Sequence, residues 1–109
     1  MPRIALHTKL KPGMAADYER AHAVIPAELD QLLRQHGVTA WRIWRSGEDL
    51  FHEVEVRDWA QFKAAMAAEP VDRAWQERMN VFLDTTEGQS YQRELGQVWQ
   101  LPESWPLPE

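Results

Sequence analysis

A chain of 109 residues, 44% hydrophobic and 27% charged, is the size of one domain with one core and too small for a cofactor domain beside a substrate domain. Its formal net charge of −5 argues against nonspecific binding to nucleic acid or to an anionic membrane, since both need a basic surface. The lack of cysteine excludes disulfides, thiolate nucleophiles and Cys-type zinc sites, and no stretch approaches the ~20 apolar residues needed to span a bilayer. The N-terminus, Met1-Pro2-Arg3-Ile4, runs into an alternating segment without the apolar run of a signal peptide, so the expected location is the cytoplasm.

From Arg3 to Lys11 the residues alternate, with Ile4, Leu6, Thr8 and Leu10 on one side, which predicts a strand with one buried face. Pro12-Gly13 punctuates it, and helical spacing runs from Met14 to Gly37 through Tyr18, His22, Ile25, Leu29, Leu32 and Leu33. Pro26 lies inside that helix, where its ring clashes with the carbonyl of His22, so a break is expected just after the histidine. Glu28 is expected to cap the resumed helix, and His36 to sit at its C-terminal end before Gly37. Val38 to Arg45 and Leu50 to Val56 read as two strands joined by the turn Ser46-Gly47-Glu48-Asp49. Asp58 is a candidate N-cap for a helix with Trp59, Phe62 and Met66, and Pro70 opens a further helical piece with Val71, Ala74, Trp75 and Met79. Asp84 to Ser90 reads as a loop and Tyr91 to Leu101 as a last strand.

The order β-α-β-β-α-β is that of a ferredoxin-like α+β fold, expected as a single domain over residues 1–101 with a proline-rich tail over 102–109. Helices cover one face of such a sheet, and a second subunit is expected on the other, so a homodimer is predicted.

Among possible sites, His7, His22, His36 and His52 lack metal-ligand spacing, and no metal site is expected. His7 and His52 read as partly exposed strand residues. Neither Ser46 nor Ser90 lies in a nucleophile elbow, and the five glycines form no phosphate cradle. Glu53 and Glu55 share a strand face that reads as solvated or dimer-contacting. Tyr18 and His22 differ, because a spacing of four residues sets a phenol beside an imidazole on one helix face. Six tryptophans exceed what so small a core readily takes up, so some should line a pocket, where an aromatic face suits the C–H surface of a sugar.

Tyr18-x-x-x-His22, Glu28-Leu29, His36-Gly37, Trp41-Arg42-Ile43-Trp44, Leu50-Phe51, Glu55, Trp75, Met79 and Leu95-x-x-Val98-Trp99-x-Leu101 together resemble the L-rhamnose mutarotase family along almost the whole chain. The resemblance implies a dimeric ferredoxin-like fold, an α/β barrel, with no cofactor. It also implies His22 as catalytic proton donor and Tyr18, Trp41 and Trp75 as substrate-binding residues. Trp41 stands where the family commonly has tyrosine, and the family's paired tryptophans fall on Ala74-Trp75, of which the second is retained. The implied reaction interconverts the α and β anomers of L-rhamnose, L-fucose or another 6-deoxyhexose, a small neutral sugar. The competing readings are a cofactor-free monooxygenase of the same architecture and a noncatalytic small-ligand binding module, since one fold hosts many functions.

Overall fold

The computed structural model describes residues 2–86 and 89–102. The first strand, β1 (Arg3–Lys9), buries Leu6 and Thr8 on one side, as its alternation requires. After a turn at Gly13 (φ 79°) come α1 (Ala15–His22) and α2 (Ala27–Gln35), separated by the break expected at Pro26. Proline has no N–H to return to the preceding turn; Pro26 instead sits extended at φ −58°, ψ 143°, and its carbonyl accepts the Asp30 N–H at 3.1 Å to start α2. Glu28 does not cap that helix: the N-cap is Pro26, no side chain makes a cap hydrogen bond, and Glu28 is exposed in the first turn. His36 is the C-cap, as expected, and Gly37 turns the chain at φ 98°. A side chain at Gly37 would also meet Arg57 Cβ at 3.1 Å, so both its conformation and its surroundings require glycine.

The next two strands, β2 (Val38–Ser46) and β3 (Asp49–Val56), form the expected antiparallel hairpin around Gly47 (φ 59°), with Trp41 opposite Val54 and Ile43 opposite His52. The Asp58 carboxylate caps α3 (Trp59–Ala67) by accepting the Gln61 N–H at 3.0 Å, and Pro70 occupies the first turn of α4 (Pro70–Asn80).

The C-terminal part departs from expectation in two places. The segment read as a loop contains a small ladder, β4 (Thr85–Thr86) with β5 (Gln89–Ser90). The last strand is shorter than expected, because β6 (Gln92–Leu95) pairs with Thr8 to Ala5 of β1 and two further residues would exhaust that partner. From residue 103 onward the expected tail lies outside the described residues.

The main sheet has the order β2-β3-β1-β6, antiparallel throughout, with α1–α2 and α3–α4 as the two helical connections, packed on the same face. This is the ferredoxin-like arrangement. Leu6, Leu50, Val54 and Val56 from the sheet and Leu10 just beyond β1 join Leu29, Phe62, Met66, Trp75 and Met79 from the helices in one core. Val54 and Val56 are fully buried, each contributing ~1.5–3 kcal/mol by leaving water. The opposite sheet face carries Arg3, His7, Lys9, Phe51, Glu53 and Glu55. Among the described residues no helix is long and apolar enough to cross a membrane.

Candidate active site

Between the helices and the inner face of the sheet lies a cavity of about 820 Å3. Its position follows from the local sequence. The break after His22 ends α1 early, so Tyr18 and His22 point inward while the chain steps away before α2 begins. Their rings lie 5.4 Å apart, and the His22 ring meets Trp75 of α4 edge-on at 5.3 Å. Trp41 enters from β2, its ring 6.2 Å from Phe62 and 6.5 Å from Trp59. Tyr18, His22, Trp41 and Trp75, the four residues selected from the sequence, thus line one cavity.

The walls also contain residues that sequence reasoning missed. His52, read as a partly exposed strand residue, lies on the inner face beside Trp41, and the Trp41 indole N–H donates to its Nδ1 at 3.1 Å. Its Nε2 lies 2.9 Å from Thr8 Oγ1. An indole N–H can only donate, so Nδ1 must be the unprotonated nitrogen and the His52 proton resides on Nε2, which donates to Thr8. Alternation placed His52 beside Leu50 and Val54, and a polar residue in that company was the available signal. Trp59, Asp72, Gln76 and Asn80 line the cavity as well. Gln76 follows Trp75 into the cavity wall, whereas Ala74 is exposed. Asn80 Oδ1 is buried without a hydrogen-bond partner among the described residues.

Electrostatics follow from the low polarity of this space. Burial raises the Tyr18 phenol to about 12, so it remains a hydrogen-bond donor across the neutral range. Burial lowers the pKa of His22, opposed in part by a backbone hydrogen bond. His52 is pushed down to about 4, chiefly by burial and then by the charge of His22, which matches the hydrogen-bond pattern that keeps it neutral. Burial raises the Asp72 carboxyl, opposed by a hydrogen bond from Gln76. At one edge Glu94 of β6 accepts the Trp59 indole N–H at 2.7 Å and Lys63 Nζ at 3.0 Å, linking α3 to the strand. His7 and His36 lie elsewhere, bound to Asp49 and near Glu69 respectively. The arrangement provides proton-transferring groups among aromatic faces, a suitable setting for a small neutral hydroxylic guest.

The sequence model described as L-rhamnose mutarotase matches residues 3–106. A relative from Opitutus terrae, an L-rhamnose mutarotase, is 38% identical over 81 residues, covering 72% of this chain and 77% of its own. The crystal structure of an L-rhamnose mutarotase from Formosa agariphila superposes with a TM-score of 0.81 at 22% identity, covering 94% of this chain and all of the other. A cofactor-independent oxygenase from Streptomyces nogalater reaches a TM-score of 0.62 at 14% identity, with 93% and 96% of the two chains covered, and shows that the frame alone does not select a reaction. On the match across residues 3–106 and the identity shared with its relatives, this chain belongs to the L-rhamnose mutarotase family.

Proposed function

We propose that the protein is a cofactor-free mutarotase that interconverts the α and β anomers of L-rhamnose or a related 6-deoxyhexose. The observation that carries this reading is the meeting of Tyr18, His22, Trp41 and Trp75 around one cavity in a chain of this family.

Mutarotation moves two protons. One leaves the anomeric hydroxyl and one reaches the ring oxygen as the bond between it and the anomeric carbon breaks; the resulting aldehyde rotates, and closure reverses both transfers. His22 gives the proton to the ring oxygen and recovers it on closure. Its lowered pKa makes the imidazolium a stronger acid, although a smaller fraction is protonated at neutrality. Tyr18, held protonated, orients the sugar by donating its O–H. Asp72 is the one carboxylate lining the cavity among the described residues, and we assign it the anomeric proton; its raised pKa makes it a better base than an exposed aspartate. The Trp41 and Trp75 rings hold the C–H surface of the sugar.

The open sheet face supports assembly of two copies into a barrel. Trp44 and Phe51, opposite each other on β2 and β3, are 53% and 38% exposed, and Leu95 on β6 is 39% exposed. A cysteine-free isomerase of a small sugar also fits a reducing cytoplasm.

Exchange NMR on L-rhamnose and L-fucose tests the reaction. Faster anomer exchange with the protein than without it is expected, reduced in folded His22→Ala and Asp72→Asn. Sugar binding without faster exchange would return the protein to the class of binding modules.

A further inference from the structure

The chain Trp41, His52, Thr8 has a fixed direction. The Trp41 indole N–H donates to His52 Nδ1 at 3.1 Å, and this determines which His52 nitrogen carries the proton. That nitrogen, Nε2, lies 2.9 Å from Thr8 Oγ1 and donates to it. One lone pair of the Thr8 oxygen is therefore occupied, and its own hydrogen is left for another acceptor. Thr8 is only 7% exposed, and it projects from β1 into the wall of the cavity. A free threonine hydroxyl rotates to give or take a hydrogen bond; accepting from His52 fixes this oxygen in the wall and biases it towards giving its own hydrogen to a guest.

We infer that Thr8, held by His52 and Trp41, is a specificity-determining residue of the cavity, donating a hydrogen bond to one hydroxyl oxygen of the bound sugar. The inference rests on the sugar reading above and adds the contact that selects among sugars. It also gives Trp41 a second task beyond presenting an aromatic face, because a phenylalanine there would leave His52 Nδ1 without its donor. Neither His52 nitrogen is free to exchange a proton with a guest, so His52 is a positioning residue and acts through Thr8. The titratable groups facing this cavity from the other elements are Tyr18 and His22 on α1, Lys63 on α3 and Asp72 on α4.

Two measurements test it. The first needs no sugar: imidazole 15N NMR of the intact protein should show His52 with Nε2 protonated and Nδ1 bare at neutral pH, and Trp41→Phe should mix the two tautomers. The opposite tautomer in the wild type would overturn the proposal. The second uses exchange NMR on L-rhamnose, L-fucose and their singly deoxygenated analogues with Thr8→Val and Thr8→Ser. Thr8→Val should raise KM ~10-fold, the scale of one neutral hydrogen bond with a buried group left unpaired, while Thr8→Ser restores most of the loss. One deoxygenated analogue should be indifferent to Thr8→Val, identifying the hydroxyl that Thr8 contacts. Equal penalties on every analogue, or none, would overturn the proposal while wild-type exchange leaves the mutarotase reading standing. Exchange by the wild type on no sugar would remove both.

Discussion

Each strand of the sheet sends alternate residues into two environments, and the histidines on opposite faces show how differently these treat one side chain. His7 lies on the open face, where its Nε2–H donates to Asp49 at 2.7 Å and its ring stacks on Phe51 at 5.0 Å. His52 lies on the covered face between an indole donor and a threonine acceptor, and is pushed down to about 4. The polar groups of the open face pair as ions near water, such as Arg42 with Glu53 and Arg3 with Glu55. On the covered face Thr8, Trp41 and His52 meet uncharged partners, and the ion pair of Glu94 with Lys63 lies at the edge. Around His52 the covered face thus offers neutral hydrogen bonding where the open face offers charge, and a neutral sugar belongs beside the former.

The comparison is tested most severely by His22→Ala, which should cost ~10²–10⁴-fold in anomer exchange, the usual scale of a general acid–base group, with circular dichroism unchanged. Next in size is a pH effect. In the unfolded chain His52 titrates near 6.5 and in the folded protein near 4. Between those values the unfolded chain binds the extra proton, so the neutral-form stability is complete above about 6.5 and is lost as pH falls towards 4. The effect is at most about 3 kcal/mol, and His52→Gln, which cannot titrate, should flatten that part of the curve in urea unfolding at pH 7 and pH 5. A wild-type curve no steeper than that of the variant would mean that His52 is not held neutral.

On the open face, Trp44→Glu should weaken self-association by ~2 kcal/mol, about 30-fold, as expected for a large aromatic at an interface centre. Sedimentation equilibrium should then show monomer where the wild type is dimeric, and a wild type that is monomeric at micromolar concentration would refute the assembly. The smallest effect belongs to Arg42→Ala, because an exposed ion pair at 3.3 Å contributes ~0–1 kcal/mol. A larger loss in thermal unfolding would show that the two faces are less different than their hydrogen bonds imply.

How far the chain can be read depends on the range of each signal. Alternation in β1, the clash at Pro26, the turn at Gly47 and the cap at Asp58 act over a few residues, and all appear in the fold. Tyr18 and His22 were legible because one helix carries both. The link from Thr8 to His52 spans 44 positions and that from Trp41 to His52 spans 11, and both depend on strand register, which alternation alone does not specify. The ladder of Thr85–Thr86 with Gln89–Ser90 is too short to display a period. The final strand stops at Leu95, two residues short of the end of β1, although Val98, Trp99 and Leu101 continue the apolar pattern that suggested a longer one.

The interruption between α1 and α2 also has a kinetic meaning. It leaves helices of eight and nine residues, each below the ~12–15 at which a helix begins to hold its shape alone. Their order is borrowed from the sheet beneath, whereas β3 is paired on both edges. Amide protection should therefore be graded, with β3 exchanging only through global unfolding and α1 through a cheaper local excursion. His22 rides on that more readily opened piece, so its wall of the half-open cavity can loosen by two turns of helix while the strands that form the floor remain in place.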